Sequence, residues 1–573
     1  MRSSAAGSRF RAVEPNEAVP ARTWRARLHA WLAGAGPGLA VGLVLGLLAL
    51  GPGLRRGFLL SYDMVIVPRE PFTAAMAGLT GGPPRAVPSD AVVAVASRVL
   101  PADVVQKLIL VSVFMLACSG VTALLAREPW FARVAAAVFY AWNPFVAERL
   151  IIGQWALLLG YAGLPWALRA VTAHRVASWR GAGRLGLALL PAAVGGFAAM
   201  TVSALVVVPA AVLSRSSARQ RLAAAASALA VLITVSLPWL IPSLLRTMYA
   251  DPAGAAAFAA RADTPFGAFG SLLMLGGMWN AQTVPAGYGG WWSVLWLALI
   301  LAAATAYVVF AGRRWPGLGF AAVAGLAIAA AGATAPGQAV LRGVTGLWPG
   351  FAILRDGQQF VAPLALAVAL GAGLLVTWVA RPRQAAAESR SGADRIRADR
   401  AGLAIAVAVT LAPALLLPGL AWGAAGRLRP VWYPAAYPGV ARMIDGSRAR
   451  GDVLLLPWAA NRRPPWNGGR ALLDPWPRLL SRQVIWNDGA QIGRTALQPD
   501  DPAARRLNRV ITGAGPLTSA LRAAGVRFVI VDSGGGMAVR LPGCTVIAAR
   551  PGLVVYQVPG SPRLRARTES QGN

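Results

Sequence analysis

The chain has 573 residues, of which 56% are hydrophobic and only 13% charged, with a formal net charge of +33. A soluble protein carries roughly twice that share of charge, so a soluble globular fold is excluded. The positive charge is scattered through short loops rather than gathered on one module, which excludes a nucleic-acid surface, and no nucleic acid partner is expected.

An Arg-rich segment, 1–32, opens the chain and lacks the short apolar core of a cleavable signal peptide. Apolar blocks follow near 33–51, 105–126, 133–148, 154–171, 185–199, 200–213, 222–245, 290–311, 316–334, 360–380 and 402–422. Their lengths approach or exceed a bilayer core, which predicts a polytopic α-helical membrane domain, 33–422, with about 11 transmembrane helices. With the N-terminus inside, the inner segments 1–30, 127–133, 172–184, 214–221, 312–316 and 381–400 hold 22 Arg in 83 residues. The positive-inside bias then places the N-terminus in the cytoplasm and the C-terminus outside a cell membrane. Arg55 and Arg56 dissent and read as headgroup contacts. The span interiors are almost free of charge and no internal repeat is evident, which counts against an ion-coupled transporter. Cys118 and Cys544 lie in different domains and have no metal-ligand neighbours.

The outer connections are richer than linkers need. The first, 52–104, carries LRRGFLLSYDMVIVPREPF and PPRAVPSDAVVAVASRVLP, with Asp63, Arg69, Glu70, Arg85 and Asp90. The second is WNPFVAERLIIGQW, with Glu148, Arg149 and Gln154. The third, 246–290, includes Asp251, Asp263 and GGMWNAQ. The fourth ends in ILRDGQQF, with Arg355 and Gln358. A carboxylate here can take a proton from a sugar hydroxyl or hold a divalent metal. The planar fork of Arg suits a phosphate, and Trp faces suit sugar rings or headgroups. Asp63 stands in an apolar run just past a span end, where an idle carboxylate is costly, so it is either functional or held in a structural salt bridge. Trp142, Trp155 and Trp166 read as interfacial anchors, Asp103 as an N-cap-region acid and Asp251 as a turn residue.

Residues 423–560 change character, with more charge and turn residues, and 561–573 form a tail. Strand-like runs at Val453–Leu456, Val526–Val531, Cys544–Ala549 and Leu553–Val558 alternate with helical stretches near Ala503–Ile511 and Pro516–Ala524, which predicts a small extracytoplasmic α/β domain. The stretch WAANRRPPWNGGRALLDPWPRLL either binds glycan or docks as an irregular loop on the membrane domain.

The run NPFVAERLIIGQWALLLGYAGLPW, the long first outer loop with an early acid, and the C-terminal AAGVRFVIVDSG and PGLVVYQVPG resemble the GT-C superfamily of membrane glycosyltransferases. The likeness is to its actinobacterial arabinofuranosyltransferase and mannosyltransferase type, with some similarity to bacterial YfhO-like membrane proteins. It implies a GT-C-like fold in the cell membrane and transfer of a sugar from a polyprenyl-phosphate donor to a cell-envelope glycan or lipid on the outer face. In that reading Asp63, or else Glu70, is the catalytic base. Arg85, Arg149 or Arg355 holds the donor phosphate, Gln154 and Gln358 position sugar hydroxyls, and Asp90 joins the substrate site. The first outer loop has no Asp-x-Asp or Glu-x-Asp pair, so no metal or other cofactor is expected. Partners are then membrane lipid, the lipid-linked sugar and the glycan acceptor. The alternative is a non-catalytic scaffold or lipid-linked glycan transporter of envelope assembly.

Overall fold

The computed structural model describes residues 24–173, 176–380, 392–513, 516–534 and 540–560. Most of the N-terminal segment 1–32, residues 381–391 with Arg390, and the tail 561–573 lie outside them.

The chain is a multi-pass membrane protein. Five helices are long and apolar enough to cross a bilayer: Gly34–Leu54, Ala102–Leu124, Ala218–Leu245, Ser293–Ala311 and Gly357–Ala380. Two bent pairs raise this to as many as seven: Pro316–Ala331 with Ala335–Leu347, bent by 98°, and Gly402–Leu416 with Pro418–Gly426, bent by 55°. Trp155–Val171 and Phe197–Val212 are shorter apolar helices. The expected blocks therefore all contain helix, but they are not all full spans. Block 133–148 breaks at Asn143-Pro144 into Trp130–Ala141 and Pro144–Ile152, because proline cannot continue a helix that needs its N–H.

Small residues set the packing. A Cβ on Gly38 or Gly42 would meet the backbone of Ser119 or Met115 at 2.5 Å, so the first span lies directly against Ala102–Leu124. Gly357–Ala380 is the most enclosed span and packs on Trp130–Ala141, Ser293–Ala306 and Pro316–Ala331. Trp142 corrects its reading as an interfacial anchor: it is fully buried and donates its indole N–H to Leu417 O at 3.0 Å. Trp155 is buried as well. Arg56 is likewise no free headgroup contact; it pairs with Asp103 at 2.6 Å.

The C-terminal region forms a five-stranded mixed sheet. Its strands are β1 (Asp452–Leu456), β2 (Val484–Ile485), β3 (Val526–Asp532), β4 (Thr545–Arg550) and β5 (Leu553–Gln557). The order is β4-β5-β3-β1-β2, with β1 parallel to β2 and β3, and β3, β5 and β4 antiparallel in succession. The loop 52–104 is built into this region. Phe58–Leu59 pairs as a short strand with Pro430–Val431, and Tyr62 bridges to Leu472. The Trp-rich stretch is thus a docked loop. Trp476 is fully buried and donates to Asp532, and Arg462 is sandwiched between Asp474 and Asp532.

Candidate active site

The segment NPFVAERLIIGQ encodes its own helix ends. Asn143 caps Pro144–Ile152 by accepting the Val146 N–H at 3.1 Å, proline occupies the first turn, and Gly153 ends the helix at φ +86°. The last carbonyls of this helix need donors. The first outer loop supplies them: the Ser61 hydroxyl donates to Ile151 O at 2.6 Å and the Asp63 N–H to Ile152 O at 3.0 Å. A Cβ on Gly153 would stand 2.3 Å from the Met64 nitrogen, so only glycine admits the loop. The loop tip is a tight turn, with Met64 N–H donating to Ser61 O at 2.8 Å and Tyr62 at φ +43°. A left-handed non-glycine residue costs roughly 1–2 kcal/mol, and here that conformation aims the next side chain, Asp63, into a cleft.

The Asp63 carboxylate is exposed to solvent, yet protein crowds it, and the charges of Arg85, Asp356 and Arg478 all reach it. The crowding removes hydration and pushes its pKa above the ordinary carboxylate range, opposed by a hydrogen bond from Gln154 and by the charges of Arg85 and Arg478, while Asp356 adds to the rise. Gln154 donates from Nε2 to Asp63 Oδ2 at 3.4 Å and accepts from Arg149 Nη1 at 2.6 Å. Arg149, only 1% exposed, is neutralised by Asp356 at 3.1 Å and lies over the Phe145 ring. A chain of polar contacts thus runs Asp356, Arg149, Gln154, Asp63.

A second anionic and cationic group faces the same space. Arg85 and Arg355 both meet Asp500, the first in direct contact and the second at 3.8 Å. Arg355 rests over the Phe258 ring at 4.7 Å, and burial together with the charge of Arg85 lowers its pKa to about 10. Crowding by nearby protein works against the charge of Arg85 although its side chain is 55% exposed, yet Asp500, Asp488 and Asp63 outweigh this and raise the pKa. Asp488 accepts the Asp501 N–H at 3.0 Å, and burial pushes its pKa up to about 6.

Glu70 and Asp90 form a separate knot around Arg478. Arg478 Nε stands 3.0 Å from Asp90 and 3.8 Å from Glu70. Glu70 is buried, and desolvation, then Asp90, push its pKa to about 9 despite Arg478. It is enclosed in this knot rather than open to solvent. Gln358 faces inward, donating to Phe258 O at 3.0 Å, and does not line the cleft. The sequence singles out Arg478, among the side chains of the Trp-rich stretch capable of sugar contacts, but not Asp356, Asp488 or Asp500. Asp356 adjoins Arg355 and was within reach of a motif reading, whereas the others come from a domain with no local signal for this chemistry. Glu148 turns away from Arg149's partners toward Asp263.

Among the described residues no cluster of His, Cys, Asp or Glu could hold a metal ion. Asp356, Asp500 and Asp90 are each paired with arginine, and a divalent cation needs several oxygen ligands together.

This arrangement sits on a shared scaffold. The fold is similar to that of a mycobacterial arabinofuranosyltransferase. Three cryo-electron-microscopy structures of AftD from mycobacteria superpose on 93%, 93% and 91% of the chain with TM-scores of 0.56, 0.55 and 0.52. The second and third are the R1389S mutant in two classes. Identity is 16%, 17% and 16%, so the likeness is one of fold. The chain spans 40%, 42% and 41% of the length of those proteins. No family model and no curated protein sequence matches it.

Proposed function

We propose that the protein is a membrane glycosyltransferase that moves a sugar of the arabinofuranose or mannose class from a polyprenyl-phosphate donor to a cell-envelope glycan or lipid on the extracytoplasmic face. The observation that carries this is Asp63: a carboxylate without an arginine partner among the described residues, held at a constrained turn in an open cleft facing Arg85. In the reaction, the acceptor hydroxyl gives its proton to Asp63 as its oxygen bonds to the anomeric carbon. The bond from that carbon to the phosphate breaks, and the electron pair leaves on the phosphate. Arg85 and Arg355 stabilise the departing charge. Gln154, fixed by Arg149, holds the Asp63 carboxylate in the orientation the transfer needs.

The test uses the full chain in lipid nanodiscs with a set of polyprenyl-phosphate sugars and short glycan acceptors. The expected result is transfer from at least one donor, lost in Asp63→Asn. No transfer from any donor favours the scaffold or transporter reading. The proposed topology, N-terminus cytoplasmic and C-terminal domain outside, predicts opposite signals from reporters fused at Arg390 and after Asn573. Matching signals refute it.

A further inference from the structure

We propose that Asp500 is a displaceable internal ligand of an anion site formed by Arg85 and Arg355, and that the incoming group is a phosphate. The inference rests on the reading of these two arginines as the donor-phosphate side chains. The two arginines come from different outer loops of the membrane domain, and their like charges oppose one another. An empty pair is therefore costly, and one carboxylate from the C-terminal domain stands between the two and offsets part of their charge.

The geometry is that of an occupied site. Asp500 itself is buried, 6% exposed at its side chain, while Arg85 is 55% exposed, so the guanidinium is open to a ligand arriving from the cleft. Arg355 is held from below by the Phe258 ring. The Asp500 loop is tethered independently of the pair: Arg505 donates to the carbonyls of Pro499 and Asp500 at 3.1 and 2.9 Å and stacks on Tyr249 at 3.8 Å. The carboxylate can thus swing away while its backbone stays anchored. A phosphate presents paired oxygens that match the arginine fork. Exchange of one anion for another keeps an anion between the two arginines. The release also frees a side chain of the C-terminal domain, so ligand arrival in the membrane domain is felt there.

The experiment measures binding of inorganic phosphate and of farnesyl phosphate to the full chain in nanodiscs, for wild type and Asp500→Asn. Removal of the internal competitor is expected to tighten farnesyl phosphate binding by roughly tenfold. In wild type, farnesyl phosphate is also expected to speed amide exchange in residues 497–501. A gain for both probes identifies a site for phosphate as such, and a gain for farnesyl phosphate alone identifies a lipid headgroup; either supports the proposal. Unchanged or weaker binding overturns it, because Asp500 then only orders the arginines. An equal gain in Asp488→Asn also overturns it, since a general field effect would suffice. Asp500→Ser serves if the Asn variant melts early. If wild type transfers sugar but Asp500→Asn binds no better, this inference fails alone. If the gain is seen without transfer from any donor, the glycosyltransferase reading fails alone.

Discussion

Gln154 donates its side-chain amide to Asp63 Oδ2 at 3.4 Å across 91 residues of sequence. That contact joins the loop 52–104 to the segment 142–155 and orients a carboxylate that has no arginine ion pair among the described residues. Asp63→Asn keeps the size and the turn but cannot take a proton. Transfer should fall by roughly a hundredfold to ten-thousandfold with unchanged thermal stability. Because crowding raises the Asp63 pKa, the wild-type rate should climb with pH along an acid limb above the ordinary carboxylate range. A wild-type rate in the Asn variant removes Asp63 from the base role.

Gly153 determines whether Asp63 can reach its place. Its φ of +86° suits glycine, and a Cβ would strike the Ser61 carbonyl at 2.4 Å as well as the Met64 nitrogen. Gly153→Ala should therefore lower stability by about 1–3 kcal/mol and displace the Asp63 turn. Chemical denaturation and the transfer rate should both register the loss, whereas Gly343→Ala, inside the helix Ala335–Leu347 with open space around it, should lower neither.

Arg149 and Asp356 test the support of the site. Arg149→Ala strands Asp356 and removes the bond to Gln154, and it should cost about 3–5 kcal/mol by equilibrium unfolding. The paired variant Arg149→Met with Asp356→Leu should recover much of that stability, because no unpaired charge remains, while transfer stays low because Gln154 is no longer held.

Arg355 should read out as a fork rather than as a bare charge. Arg355→Ala should weaken binding of a polyprenyl phosphate much more than Arg355→Lys, with Lys still below wild type. Lys equal to wild type, measured by titration in nanodiscs, would reduce its role to charge alone.

Glu70 carries a pH signature. Its pKa rises from an ordinary 4.5 when unfolded to about 9 when folded. The folded state therefore holds a proton that the unfolded chain releases. The associated stability is complete below pH 4.5 and is lost as pH rises toward 9. Glu70→Gln, which imitates the protonated form, should flatten the melting temperature across that window and exceed wild type at its alkaline end. A parallel decline in both proteins would show that Glu70 is ionised at neutral pH.

Much of the architecture is a local property of the chain. Apolar blocks longer than a bilayer core determine membrane helices wherever they occur, and β-branched runs such as Val526–Val531 determined the strands of the C-terminal sheet. Asn143, Pro144 and Gly153 wrote both ends of the helix that carries Arg149. Asp63 stood out because an acid beside a span has a desolvation cost that needs a reason. The tertiary structure alone decided which of the charges meet. Arg85 and Asp500 are 415 residues apart, Arg149 and Asp356 are 207 apart, and no periodicity or spacing links them. It also decided that Glu70 is sealed against Asp90 and Arg478, that Gln358 turns to a backbone carbonyl, and that Trp142 packs inside rather than at the interface. Hydropathy reports the cost of placing one residue in one solvent. The state of an ionisable group depends on the sum of its neighbours' charges and its lost hydration, and those neighbours are chosen by the fold.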